Sequence, residues 1–154
     1  MEKRTEIHLA LKEALKNKDQ IALSTIRLIV SALKDRDIAA RGTGNTEGIP
    51  EADILALLQS MIKQRLESSK IYKDAGRPEL AQQEDSEILV IQRFLPKQLE
   101  EAEVISAIAQ ALEETGAKDI KDMGKVMGVL KTRYAGQIDM GKVGGLIKTK
   151  LAQG

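Results

Sequence analysis

His8 is the single imidazole in a chain of 154 residues that contains no cysteine. Imidazole is the side chain whose ordinary pKa lets it take up and release a proton near neutral pH, so acid–base chemistry would fall to it first. It stands alone near the N-terminus and reads as a surface residue. The lack of cysteine removes a thiol nucleophile, a thiolate metal site and a disulfide framework, and it agrees with a reducing compartment. Glu84, Asp85 and Glu87 lie close in sequence, and such a set could serve magnesium or acid–base chemistry. A solvated helix face accounts for them more simply. No catalytic residue, cofactor or metal is therefore expected.

Two glycine patterns invite a phosphate. The run Gly42-Thr-Gly-Asn-Thr-Glu-Gly48 lacks the Gly-Lys-Ser/Thr ending and the preceding strand of a phosphate loop, and it reads as a flexible connection. The second pattern is repeated. Asp122-Met-Gly-Lys-Val-Met-Gly-Val-Leu-Lys-Thr is followed, with a period of 17 residues, by Asp139-Met-Gly-Lys-Val-Gly-Gly-Leu-Ile-Lys-Thr. Glycine weakens a helix, so Gly124, Gly128, Gly141 and Gly145 suggest positions where something approaches closely. One reading is tight helix–helix packing in a small subdomain. The other is approach by a nucleic-acid backbone, with Lys121, Lys125, Lys131, Arg133, Lys142 and Lys148, and Lys150 beside them, supplying phosphate affinity without sequence discrimination. Asp122 and Asp139, as helix caps, would compete for the N-termini where a phosphate could sit.

The elements that must position these residues are helices. A first helix is predicted over 5–16, with Ile7, Leu11, Ala14 and Leu15 on one side. Asp19 caps a second helix reaching about residue 40, striped by Leu23, Ile26, Val30 and Leu33. Pro50 opens a long third helix, whose stripe is Ile54, Leu57, Leu58, Met61, Ile62 and Leu66 and which ends near Gly76. Pro78 starts a fourth, carrying Leu80, Ile88, Ile91 and Leu95, and Pro96 stops it. Glu100, Glu101 and Glu103 suit the electropositive start of a fifth helix, with Val104, Ile108, Ala111 and Leu112 buried and Thr115-Gly116 at its end. The two repeats form short helices. No stretch alternates with period two, so the fold class is all-α: an N-terminal helical bundle over 1–96 and a small C-terminal three-helix tail domain over 97–154.

Composition agrees. The apolar residues are aliphatic, with only Phe94, Tyr72 and Tyr134 as aromatics, a helix-forming balance. No apolar run approaches the ~20 residues that span a bilayer, and the start of the chain lacks a secretory apolar stretch, so a cytoplasmic protein without membrane association is expected. The formal charge of +1 is unevenly spread. Residues 98–116 carry five acids and no base, while residues 117–154 carry eight Lys/Arg against three acids.

Lys121-Asp-Met-Gly-Lys-Val-Met-Gly-Val-Leu, with Gly136 and the stretch from Asp139 to Leu146, resembles the tail motif of GatB/YqeY proteins. Ala14-Leu-Lys-Asn-Lys-Asp, Thr25-Ile-Arg-Leu-Ile, Gln64-Arg-Leu-Glu-Ser, Tyr72-Lys-Asp-Ala-Gly-Arg, Leu80-Ala-Gln-Gln-Glu and Phe94-Leu-Pro-Lys-Gln-Leu are similar to the free-standing YqeY form. The resemblance covers essentially the whole chain. It implies a helical bundle followed by a helical tail like the C-terminal region of the B subunit of the glutamine-dependent aspartyl/glutamyl-tRNA amidotransferase, where the tail helps hold tRNA. The family often has Gly-Arg-Ala-Asp where this chain has Gly136-Gln-Ile-Asp139, which removes one bidentate phosphate donor. The expectation is a non-catalytic module associated with tRNA or another RNA. The alternatives are a protein-interaction module of the translation machinery and an accessory factor in carbon–nitrogen ligation with glutamine as amido-N-donor.

Overall fold

The computed structural model describes residues 2–153. Among these residues it contains seven α-helices and no strand: α1 (Lys3–Lys16), α2 (Gln20–Arg41), α3 (Glu51–Asp74), α4 (Pro78–Gln92), α5 (Glu101–Thr115), α6 (Met123–Arg133) and α7 (Met140–Gln153), with a 3-10 turn at Ile120–Asp122. The chain divides into two compact units, the first ending at Leu95 and the second beginning at Pro96. None of these helices is long and apolar enough to cross a membrane.

Local signals start and stop the helices of the first unit. Asp19 Oδ1 accepts from the Ala22 N–H at 3.1 Å and caps α2, satisfying one of the donors that a helix start leaves orphaned. Pro50 sits at the N-cap of α3 and Pro78 is the first residue of α4, where a missing N–H costs nothing. α3 packs most extensively on α4, α1 packs on α2, and α2 packs on α4. Each helix contributes one completely buried aliphatic side chain: Ile7, Ile29, Leu58 and Ile91. Each is worth about 1.5–3 kcal/mol by burial alone.

Several stripe positions differ from the periodic expectation. Ile29 rather than Val30 is buried on α2, Phe94 rather than Leu95 follows α4 into the core, and Leu15 and Leu66 are exposed. Leu66 is 55% exposed because the α4-facing side of α3 turns polar at Arg65 and Ser69. Two of the α4 carboxylates meet those two residues: Glu87 is largely shielded, while Asp85 keeps a side chain 45% exposed. Arg65 Nε donates to Glu87 Oε2 at 3.1 Å with both side chains only 14% exposed, and the buried Ser69 hydroxyl donates to Asp85 Oδ1 at 2.7 Å.

The glycine-rich connection after α2 is likewise held rather than flexible. Asn45 N donates to Ala40 O at 3.0 Å, Asn45 Nδ2 donates to Gly48 O at 3.0 Å, and the Ile49 N–H donates to Asp37 Oδ1 at 2.9 Å. Asp37 is in turn paired with Arg4 of α1.

In the second unit a reciprocal capping box between Glu100 and Glu103 opens α5, and Gly116 ends it in the left-handed region at φ +66°, a conformation that suits glycine. Ala107, Ile108 and Ala111 of α5, Val126 and Leu130 of α6, Ile138, and Val143, Ile147 and Leu151 of α7 form its core.

Candidate nucleic-acid interface

The sequence repeat becomes a structural repeat. α6 and α7 begin 17 residues apart, so each pair of matching residues occupies the same turn of its helix. Val126 and Val143, then Leu130 and Ile147, are buried. Lys125 and Lys142, Gly128 and Gly145, and Lys131 and Lys148 are exposed. This follows from helical geometry, because positions three, four and seven apart share a face. The last turn is repeated too: Thr132 Oγ1 donates to Gly128 O at 2.9 Å, and Thr149 Oγ1 donates to Gly145 O at 3.0 Å.

Helix packing inside the protein does not explain the paired glycines. A Cβ placed on Gly124, Gly128 or Gly145 would meet nothing within 4 Å, and one on Gly141 would meet only Asp139 Oδ1, at 3.4 Å. The glycine facing the interior is Gly144, beside Met123 Cε at 3.5 Å and Met127 Cε at 3.6 Å. The reading of tight packing through Gly124, Gly128, Gly141 and Gly145 is thereby corrected. Their Cα atoms lie on solvent-facing sides of α6 and α7.

The N-termini are not equivalent. Asp139 Oδ1 accepts from the Gly141 N–H at 3.0 Å and the Lys142 N–H at 3.3 Å, and so caps α7. Asp122 makes no side-chain cap on α6. Its Oδ2 accepts from Lys118 N at 2.9 Å and Asp119 N at 3.4 Å, because the 3-10 turn precedes α6 and draws the carboxylate backwards. Those two amides hold the Asp122 carboxyl below the usual carboxylate range. Lys121 is exposed on that turn.

Arg133 is committed within the fold. Its Nη2 donates to Glu114 Oε2 at 2.8 Å and its Nη1 to Glu114 Oε1 at 3.3 Å, a two-point fork between the ends of α6 and α5. The pairing raises the arginine and lowers the glutamate from their ordinary values. Charge alone groups Arg133 with the phosphate contacts, and no local pattern in the sequence links it to Glu114, 19 residues away.

Beside this pair lies an open groove of about 380 Å³ between α5 and the end of α6, bordered by Ser106, Gln110 and Tyr134. The remaining candidates stay apart from it in sequence and role. His8 is exposed on α1. Glu84 is pushed up by burial and by the neighbouring Glu87, while the Ser69 hydroxyl and Lys73 hold Asp85 down. Among the described residues no three His or acidic side chains converge as a metal-ion site would need.

Comparison with known proteins gives the family. The family model described as Yqey-like protein matches residues 4–151. The chain belongs to the YqeY-like family. Curated relatives are the proteins named altered inheritance of mitochondria protein 41, mitochondrial, from three yeasts. The chain is 30% identical to that of Lachancea thermotolerans over 106 residues, covering 68% of this chain and 54% of the relative. It is 32% identical to that of Vanderwaltozyma polyspora over 85 residues, covering 55% and 44%. It is 29% identical to that of Clavispora lusitaniae over 118 residues, covering 75% and 65%. The chain thus spans about half the length of the first two and about two thirds of the third.

Within this YqeY-like chain, Gln137, at the position where the resemblance leads one to look for arginine, is bound into the backbone. Its carbonyl accepts from Leu99 N at 2.9 Å, and its side-chain Nε2 donates to Lys97 O at 3.2 Å. Gln98 Nε2 donates to Gly136 O in the same seam. Gln137 therefore ties the segment before α5 to the loop before α7.

Proposed function

We propose that this YqeY-like protein is a non-catalytic RNA-associated module whose second unit holds the backbone of tRNA or another RNA. In this reading the first unit is the helical bundle and the second is the three-helix tail. The observation that carries it is the twin solvent-facing glycine surface of α6 and α7, flanked by the exposed Lys125, Lys131, Lys142 and Lys148. Glycine in a helix interior costs about 1 kcal/mol relative to alanine, and no atom of the described residues comes within 4 Å of a Cβ placed on Gly124, Gly128 or Gly145. A docked backbone offsets that cost by approaching closely, and lysine supplies phosphate attraction that is largely independent of sequence. The excess of bases after residue 117 agrees.

The test is binding to bulk tRNA at low and physiological salt, comparing the natural chain with one in which Lys125, Lys131, Arg133 and Lys142 are changed to Glu. Salt-sensitive binding at micromolar affinity or tighter, lost in the variant, supports the module. No binding by either chain overturns it.

A second reading, a protein-interaction module of translation, draws on Ile21 and Leu28, two large apolar residues exposed seven positions apart on α2. Capture of a translation protein that persists after nuclease treatment and at high salt favours it. A role as an accessory factor in glutamine-dependent carbon–nitrogen ligation follows from family resemblance alone.

A further inference from the structure

The groove beside the Arg133–Glu114 pair combines features that the lysine faces lack. Leu99, Ala102 and Ala107 give it apolar surface, Ser106 and Gln110 give it hydrogen-bonding groups, and Tyr134 gives it an aromatic ring. It is an open groove of about 380 Å³, able to seat one flat ring but not to enclose a ligand. Glu103 also lines the groove, but its carboxylate accepts from the Glu100 N–H at 3.1 Å in the capping box. Gln110 joins the groove to the ion pair, because its Nε2 donates to Glu114 Oε1 at 3.2 Å while Arg133 holds both oxygens of that carboxylate. Arg133 directly precedes Tyr134 in the chain.

A ring and polar groups lining the groove, with a guanidinium fork on the residue before the ring and joined to the groove through Gln110 and Glu114, match the parts of a single nucleotide. Unpaired bases stack on aromatic side chains and offer their edges to hydrogen bonds, and an arginine fork fits a phosphate as it fits a carboxylate. A paired base is already stacked and has its Watson–Crick edge occupied, so a duplex has nothing to insert.

We propose that this groove takes one unpaired nucleotide of the bound RNA, with its base against Tyr134 and Gln110 and its phosphate on Arg133, and that Glu114 is the internal carboxylate which this phosphate displaces. The proposal rests on the RNA reading above and adds to it a preference for single-stranded over duplex RNA. It also assigns Glu114 a competing role, because Arg133 meets the phosphate only when Glu114 releases it.

The experiment compares a short oligouridylate, whose bases are unstacked, with an RNA duplex of equal nucleotide length. The proteins are the natural chain and its Tyr134→Phe, Tyr134→Leu, Glu114→Gln and Glu113→Gln variants, each checked by its melting curve. The expected result is that the natural chain prefers the oligouridylate. Tyr134→Phe keeps that affinity within about twofold, and Tyr134→Leu loses about fivefold or more on the oligouridylate alone. Glu114→Gln tightens binding by about two- to fivefold, beyond any gain from Glu113→Gln, which removes the same charge from an adjacent exposed position. Equal oligouridylate affinity for Tyr134→Leu and the natural chain, or parallel losses on both RNAs, overturns the base site while leaving the RNA reading intact. If Tyr134→Leu does not fold, the glutamates decide: identical gains from Glu114→Gln and Glu113→Gln overturn the displacement. If neither RNA binds the natural chain at low salt, the RNA reading itself fails and the nucleotide site fails with it.

Discussion

Arg4 and Asp37, 33 residues apart, close a fork in which Nη1 meets Oδ2 at 2.6 Å and Nη2 meets Oδ1 at 3.1 Å. The same Asp37 oxygen that receives Nη2 also accepts from the Ile49 N–H at 2.9 Å, and Arg4 Nη2 donates to Ile49 O at 3.2 Å. One carboxylate thus joins α1, α2 and the connection to α3. Its side chain is 17% exposed, so water replaces these partners poorly, and Asp37→Asn should lower unfolding stability at neutral pH by about 1–2 kcal/mol.

The pH dependence of that difference has a definite sign. The Arg4 hydrogen bond, followed by the Ile49 N–H, holds the folded Asp37 carboxyl below its ordinary value of 3.8. A depressed folded value means that the stabilisation is fully present above the unfolded value and is lost as pH falls through the folded one. Urea unfolding should therefore separate the natural chain from Asp37→Asn at pH 7, and the gap should shrink as pH falls below the ordinary carboxyl value and through the depressed folded one. A constant gap down to pH 2 would show that the carboxylate charge contributes nothing.

Gly48 lies against the same fork. It adopts φ +97°, and a Cβ there would stand 2.8 Å from Arg4 Nη2 and 3.1 Å from Asp37 Oδ1. Gly44 has a similar φ of +96° with open space around it. Left-handed backbone costs a non-glycine residue about 1–2 kcal/mol, so Gly44→Ala should lose about 1 kcal/mol. Gly48→Ala should lose about 2 kcal/mol or more, because it also displaces the arginine. Equal losses by denaturant titration would mean that the fork yields freely.

Thr25 is fully buried on α2, and its hydroxyl oxygen has no hydrogen-bond partner among the described residues. A buried hydroxyl without a partner is penalised by desolvation, whereas valine has nearly the same shape and no polar atom. Thr25→Val should raise unfolding stability by about 1 kcal/mol, read as a higher denaturant midpoint at unchanged slope. A fall in the midpoint would reveal an ordered partner for the hydroxyl.

Helix ends were legible in the sequence because their causes are local. Asp19, Pro50, Pro78 and Gly116 act within a turn of their own positions. Which face was buried was less legible where a long-range polar pair took a place in an apolar stripe, as Arg65 and Ser69 do opposite Glu87 and Asp85 while Leu66 turns outward. The Arg4–Asp37 fork leaves no periodic trace, and neither does the Glu114–Arg133 pair. The lysine and glycine faces were visible because the chain states them twice. Repetition could not tell whether the glycines faced a neighbouring helix or solvent, a question that only packing answers.

The glycines therefore yield the most discriminating prediction. Gly128 and Gly145 occupy ordinary helical positions on α6 and α7 with nothing near a new Cβ, so replacing each by alanine removes backbone entropy from the unfolded chain and adds helix propensity. Gly128→Ala and Gly145→Ala together should stabilise the protein by about 1–2 kcal/mol. If an RNA backbone lies against those faces, the added methyl groups push it away from the lysines, and affinity for tRNA should fall while stability rises. Opposite movement of the two quantities can arise only if the glycines serve a partner outside the fold. Measured together on the double variant, a rise in melting temperature with unchanged tRNA affinity would remove the glycine faces from the interface and leave the lysines alone to explain any binding.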